Sequence, residues 1–514
     1  MTGDVLQLAG IIIYLLILLL IGVAASRRMH DARDFFAAGK RLGFLSVAFS
    51  ARATGESAWL LLGLTGMGAA VGVHAFWVVL GEVLGVGAAW MLMSRRFKRL
   101  TDRYDSITIP DYLESRFRDD THKLRLVAAF ALLVFVTIYV SAQIDATGTA
   151  FENFLGWNYY VGVLVGFGVV TVYIVAGGFL AVVWSDVFQG TLMFLGLVIL
   201  PFVGLAAAGG WGAVIEGLRQ QDPQLLSLWG PGGWTALSVF QVLSLALIGL
   251  GFLGSPQIFV RFLALRSEAE IVRGTWVAIL WTLLADTGAV CIGMIGRHLL
   301  MTPGDSVAGQ LGSGGQNVLP LLVSHLLPAL FVGLYIAVVL AAIMSTVDSL
   351  LLVAASAAVR DWWQKVRHPE LDDASLVGIS RWVTVVLALL ALAVATTIAA
   401  IVPGRTIFWF VIFGWSGIAA TFCPTMILSL FWTKMTARGA LVAMITGFVC
   451  VPLFKFVAPQ LPVVGAALGA LGELPPSFAL GALAAILFSL TDPHGQQRVL
   501  AAQEDLLECA RPSK

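Results

Sequence analysis

Thirteen apolar runs, each long enough to cross a hydrocarbon core about 30 Å thick, recur along the chain from residues 6–26 to residues 477–490. Within lipid every backbone amide must be satisfied inside its own segment, so the expected fold is an all-α polytopic membrane protein with about 13 transmembrane helices. Composition agrees, because a chain that is 59% hydrophobic and only 12% charged cannot clothe a solvated globular surface. The first run is longer than a signal-peptide core and has no basic stretch before it, so it is expected to stay as a membrane helix. Cys291, Cys423, Cys450 and Cys509 are too scattered for a disulfide framework or a metal-ligand spacing. No nucleotide loop and no hydrolase elbow is present, and nothing supports an enzyme or a nucleic-acid partner.

Orientation follows from the basic residues, which resist translocation and stay in the cytoplasm. Alternate loops collect 26 of the 31, including Arg27, Arg28, Arg33, Arg95, Arg116, Arg125, Arg261, Arg360, Arg511 and Lys514. The N-terminus is therefore expected outside and the C-terminus inside, which requires an odd number of crossings. No segment is large enough for a separate soluble core. In the longest inside loop, Pro110 could start a short amphipathic helix, although a surface connector is the plainer expectation. Outside residues 302–315, rich in Gly and Ser, read as a mobile loop.

Two runs are interrupted. The second, residues 45–71, carries Arg52, Gly55, Glu56 and two hydroxyls at membrane depth. Buried charges there cost several kcal/mol unless they meet a cavity, an ion or each other, so they mark a functional site. A plainer alternative is an Arg52–Glu56 ion pair at i,i+4 spacing that locks helices together. The seventh run is broken by the glycines at 249, 251 and 254 and by Pro256. Two broken segments in corresponding positions point to an inverted-repeat transporter with its site at the midplane, the second helix running outward and the seventh inward.

The ninth run places Ser345, Asp348 and Ser349 on one helical face with Thr346 beside it. Such hard oxygen donors suit an alkali cation. Hydroxyls taken singly more often bond their own backbone. Asp186, Asp145 and Asp286 are further intramembrane acids; for the last two, a solvated cavity edge and a helix-to-helix hydrogen bond are equal alternatives to a direct role.

These stretches, with residues 108–113, 151–154, 177–186, 249–261 and 340–349 in order, resemble the sodium/solute symporter family, most closely its bacterial sodium/proline symporters. The resemblance implies a LeuT-like five-plus-five inverted repeat: residues 1–44 as the first helix and a cytoplasmic loop, 45–208 as repeat one (helices 2–6), 209–431 as repeat two (helices 7–11), and 432–514 as two further helices and a short tail. It implies Na+ as coupling ion, held by the carbonyls of Ala53, Glu56 and Ala342 and the hydroxyls of Ser345 and Thr346. A possible second sodium maps to Asp186, Ser345, Asp348 and Ser349. Substrate would meet Glu56, Ser57, Trp59, Tyr139, Gln143, Phe252 and Pro256. Where proline symporters carry an aspartate in the second helix and a Trp and a Tyr in the seventh, this chain has Gly55, Ile248 and Phe252. The expected activity is sodium-coupled uptake of a small organic solute, an amino acid such as proline or a related carboxylate, across the bacterial inner membrane. Its partners would be the solute, sodium and the lipid bilayer, with the chain acting as a monomer. The alternatives are a proton-coupled carrier, in which Asp186, Asp348 or Glu56 titrates, and a non-transporting membrane sensor or channel.

Overall fold

The computed structural model describes residues 2–26, 40–176, 178–230, 232–371 and 373–510. Arg27, Arg28, Arg33, Arg511 and Lys514 of the orientation argument, and Gly177 at the head of the 177–186 motif, lie outside the described residues. Among the described residues every regular element of more than an isolated bridge is helical.

Helix α1 (Thr2–Ser26) leads into the α2 unit, in which α2 (Phe44–Ala58) continues through a widened turn over Trp59–Leu64 into α3 (Thr65–Val71). The chain turns at Gly72 and runs through α4 (Phe76–Ala88) and α5 (Ser94–Arg103). There follow α6 (Ile109–Phe117), α7 (Lys123–Leu155), α8 (Tyr159–Ala176) and α9 (Phe179–Ala208). The second half holds α10 (Ala236–Ala246), α11 (Pro256–Ala264), α12 (Ala269–Leu300) and α13 (Ala329–Ser356). It closes with α14 (Asp373–Ile401), α15 (Ile407–Phe431), α16 (Ala437–Pro452), α17 (Leu474–Leu490) and α18 (Leu500–Ala510).

By length and apolarity 10 helices among the described residues could cross a membrane, or 11 if the pair bent by 91° around residue 472 counts as one. The difference from thirteen is one of division. The stretch Phe44–Arg103 is 60 residues long, roughly 90 Å as a straight helix and three times a bilayer core. It reverses at Gly72 and so holds two of the expected runs. Another, at Tyr159–Val169, falls in the shorter class.

Burial sorts the helices. Windows of α13 and α15 are 78% and 83% buried, whereas those of α9, α14 and α16 are 28%. The former form the centre and the latter face lipid, which explains why exposed Phe202, Trp382 and Ile401 need no protein partner. Helix α2 packs on α9, α12 and α13, and α15 packs on α7, α16 and the widened turn after α2. The α2 N-terminus is tied down by Glu270, whose Oε2 accepts from Phe44 N at 2.8 Å, and by Leu42, which pairs with the backbone at Ala264 and Arg266.

Three connector expectations change. Pro110 does begin a helix, α6, capped by Thr108 Oγ1, which accepts from Asp111 N at 3.1 Å. It is not a surface connector: Tyr112, Leu113 and Arg116 are buried. Its carboxylates join an ion network in which Arg125 meets Asp111 at 2.8 Å, Glu114 at 2.8 Å and Asp361 at 2.5 Å. The 302–315 loop contains a short helix, Val307–Leu311, and lies so close over α3 that a Cβ at Gly66 would meet the Gly314 carbonyl at 2.8 Å. Finally, Arg116, Arg125 and Arg261, counted as loop residues, are buried.

Candidate cation and solute site at the broken second helix

Helix α2 breaks at Ser57 (φ 43, ψ −167), two residues beyond the expected Gly55. A serine in this region is strained by about 1–3 kcal/mol and persists only where neighbours over-determine it. The neighbours are identifiable. Gln143 of α7 accepts from Ala58 N at 3.0 Å and donates to Ser57 Oγ at 3.3 Å. The Tyr139 hydroxyl lies 3.4 Å from the same oxygen. The Trp59 indole donates to the Gly55 carbonyl at 3.1 Å, covering a backbone acceptor that the break would leave exposed.

On the face of α2 toward α13, hydroxyls and carbonyls converge. Ser345 Oγ donates to Ala53 O at 3.0 Å and lies 3.1 Å from Ala342 O. Thr346 Oγ1 donates to Thr54 O at 3.1 Å and lies 3.2 Å from Ala342 O. Four of the five expected main-site residues, Ala53, Ala342, Ser345 and Thr346, are thus brought together with Thr54, which the sequence reading did not include. The fifth, the Glu56 carbonyl, accepts instead from Trp59 N at the broken end of α2. The donor set fits an alkali cation, since hard neutral hydroxyl and carbonyl oxygens can replace its hydration shell and leave only a single positive charge to accommodate.

Toward the Thr108 side, Asp186 and Ser349 meet through a residue that the sequence reading placed in a loop. Arg261 lies one turn into α11, is fully buried, and donates to Ser50 at 3.0 Å, Thr54 at 2.6 Å, Asp186 at 3.1 Å and also to Ser349 and the Gln257 carbonyl. The guanidinium therefore lies among the residues proposed for a second sodium. Asp348 touches Ser349 through one oxygen, while Ser345 is turned to Ala53. A signal existed in the sequence, because Arg261 follows Pro256 by little more than a helical turn and a helix restarted by that proline must carry it inward.

The expected solute residues divide. Ser57, Trp59, Tyr139 and Gln143 form one cluster around the break. Phe252 sits on the other side of α2, where a Cβ at Gly55 would come within 2.9 Å of its ring, so an aspartate at 55 would require this ring to shift. Phe252 packs on Trp415 at 4.9 Å between ring centroids, and the Trp415 indole donates to the Ile248 carbonyl at 3.1 Å. Trp415 carries no sequence signal of this contact, since it is one tryptophan in an apolar run. Glu56 turns away to pair with Arg52, as the plainer sequence reading anticipated. Pro256 lines a small cavity of about 20 Å³ with Thr108, Phe179 and Ser356. On the opposite side a cavity of about 490 Å³, lined by Gly63, Met67, His74, Gln241, Gly314 and Phe408, reaches toward Trp59, which meets Phe408 edge-on at 6.1 Å. Asp145 belongs to that opposite end, bound by Arg405 at 3.1 Å, and among the described residues Asp286 hydrogen-bonds to no neighbour.

A helix broken beside hydroxyls of a second helix is the geometry of cation-coupled carriers, and comparison settles the family. The profile of the Sodium:solute symporter family matches residues 35–447. The chain belongs to the sodium:solute symporter family. It is 36% identical over 437 residues to the high-affinity proline transporter PutP of Bacillus subtilis, covering 84% of this chain and 88% of that protein. It is 31% identical over 479 residues to the sodium/proline symporter of Escherichia coli, covering 93% and 91%. Among solved structures it resembles a Na+-coupled sialic acid symporter (TM-score 0.76, 19% identity, 95% and 97% covered). It also resembles MhsT in complex with L-phenylalanine (TM-score 0.52, 18% identity, 88% and 98% covered). The symporter is thus a multi-pass membrane protein of the LeuT-like transporter fold, a sodium-coupled solute carrier and not an enzyme.

Proposed function

We propose that this symporter imports proline or a closely similar small amino acid, driven by sodium bound between α2 and α13. The observation that carries the reading is the pair of cross-helix contacts, Ser345 to Ala53 and Thr346 to Thr54, beside a strained break at Ser57. A cation inserted among these oxygens, with the Glu56 carbonyl as a further ligand, fixes the break against α13. Solute then binds an ordered Ser57–Trp59–Tyr139–Gln143 surface. Coupling is linkage: each ligand favours the arrangement the other needs. The proline assignment draws on the proline transport named for the relatives in Bacillus subtilis and Escherichia coli.

In this reading the 490 Å³ cavity faces outward and the Arg125–Asp111–Asp361 network closes the cytoplasmic side, in keeping with the excess of basic residues on that side. Repeats at 45–208 and 209–431 rock about the site. Arg261 serves as a built-in cation where a second sodium would otherwise neutralise Asp186. The test is uptake of labelled proline and a panel of other amino acids and carboxylates into proteoliposomes under a sodium gradient, a potassium gradient and none. Sodium-driven accumulation of proline or a small analogue is expected; accumulation indifferent to sodium would overturn the proposal.

A further inference from the structure

The face of α2 toward α4 and α12 carries a second constellation. Glu56, Glu82 and Asp286 each place a carboxylate oxygen within 4.8 Å of the other two, and all three are buried at 1% exposure or less. Among the described residues one base reaches them. Arg52 pairs with Glu56, lies 3.8 Å from Glu82 Oε2, and has its guanidinium covered by the Phe252 ring at 4.7 Å and the Trp281 ring at 5.8 Å. Asp286 differs from Glu56 and Glu82 in that, among the described residues, no base lies within salt-bridge distance of it and neither of its oxygens accepts a hydrogen bond, although it is fully buried and aimed into the cluster. Three carboxylates against one guanidinium cannot all stay ionised in a buried setting unless a further cation joins them, because a buried unpaired charge costs several kcal/mol in a membrane protein.

The spacing suits an ion. A point equidistant from three oxygens no more than 4.8 Å apart lies within about 2.8 Å of each, close to the reach of a hard cation bound by carboxylates. The contrast with the Thr108 side is informative. There Arg261 pairs with Asp186 and donates to Ser349, whereas here a single guanidinium, Arg52, faces three carboxylates. We propose that Glu56, Glu82 and Asp286 form a second sodium site, on the face of α2 opposite Ser345 and Thr346. The proposal rests on the sodium-coupled reading above. An ion at each face would order the Ser57 break from both sides, tying α2 to α13 through one and to α4 and α12 through the other, so the two sodium ions bind cooperatively.

The test uses the purified full-length protein, with thermal unfolding followed against NaCl at constant ionic strength and with KCl and CaCl2 as parallel titrations. Sodium that binds the folded state raises the unfolding temperature without any need for transport. Wild type should respond with a Hill coefficient of about 2, falling to about 1 in Asp286→Asn and Glu82→Gln, with the half-stabilising sodium concentration raised at least about tenfold. Both substitutions preserve shape and remove charge, and a loss of folding in one leaves the other to report. Sodium flux measured with solute flux in proteoliposomes should drop from two ions per solute to one in the same variants. A coefficient near 1 in wild type, unchanged sodium response in both variants, or stabilisation by CaCl2 with none by NaCl would each overturn the site. Absence of sodium-driven uptake by wild type would instead refute the transport reading, and the solute-free sodium titration would still stand or fall on its own.

Discussion

Removing the Ser345 hydroxyl tests the main sodium site most directly. In Ser345→Ala the ion loses one direct oxygen and the Ala53 carbonyl, 3.0 Å away, loses its cross-helix donor. Interactions of a neutral group with a charged partner contribute roughly 1.5–3 kcal/mol. At about 1.4 kcal/mol per decade this raises the half-saturating sodium concentration roughly 10- to 150-fold. The structural cost is of similar size, about 1–3 kcal/mol for a neutral hydrogen bond whose acceptor is left buried, and is small beside the packing of the whole bundle. Insertion into the membrane should therefore survive. The assay is initial-rate proline uptake into proteoliposomes at fixed solute, titrated with sodium at constant ionic strength. Thr346→Ala, which loses its contact with Thr54 O, should shift the same curve in the same direction. Saturating sodium should restore most of the maximal rate, because the lost oxygen acts on ion binding and not on the solute surface. If both variants are inserted normally and keep the wild-type sodium curve, the cation does not lie between α2 and α13, and the coupling argument fails with it.

Arg261→Gln strips Asp186 of its counter-charge, so stability should fall by about 3–5 kcal/mol, as for one partner removed from a buried pair. Added sodium should recover more of that loss than it adds to wild type if the vacated place accepts a cation; equal sodium responses in thermal unfolding would deny the site any cation character. Gly251→Ala would drive a Cβ to 2.3 Å from the Trp415 ring. A loss of about 1–3 kcal/mol from overpacking, read as a lowered unfolding temperature, is expected and should be relieved by Trp415→Leu. Gln143→Leu removes the acceptor for Ala58 N and should raise the proline concentration for half-maximal uptake while moving the sodium curve less than Ser345→Ala does. In the Arg125–Asp111–Asp361 network, burial raises the Asp111 carboxyl, but Arg125 and Arg360 outweigh it and hold it below the usual carboxylate range. A depressed value means that its stabilisation is complete above the ordinary carboxylate value of about 3.9 and fades only as pH falls toward the folded value. Unfolding profiles of wild type and Asp111→Asn should therefore run parallel between pH 7 and 5 and converge only below about pH 4, and convergence already at pH 6 would contradict the assignment.

Much of this protein is legible in one dimension because lipid leaves a helix few options. Hydropathy alone marks the runs, since an apolar segment of spanning length must satisfy its amides internally. The interruptions at 55–57 and 249–256 are equally visible, because glycine, proline and charge at membrane depth are costly unless used. The hydroxyl face of α13 follows from helical periodicity, which is local geometry. Partner choice is not local. Whether Glu56 would face solute or Arg52 depended on which neighbours the packing brought to that side of α2, and Glu82 and Asp286 arrive from helices 26 and 230 residues further along the chain. Arg261 looked like a loop cation because charge counting assumes that basic residues flank membrane helices. Only the restarted helix after Pro256, packed against Asp186, turns it into a buried counter-ion. The exact position of the break moved from Gly55 to Ser57 for the same reason. Glycine permits a bend wherever it occurs, but Gln143 and Tyr139, reaching across from α7, select the residue that bends.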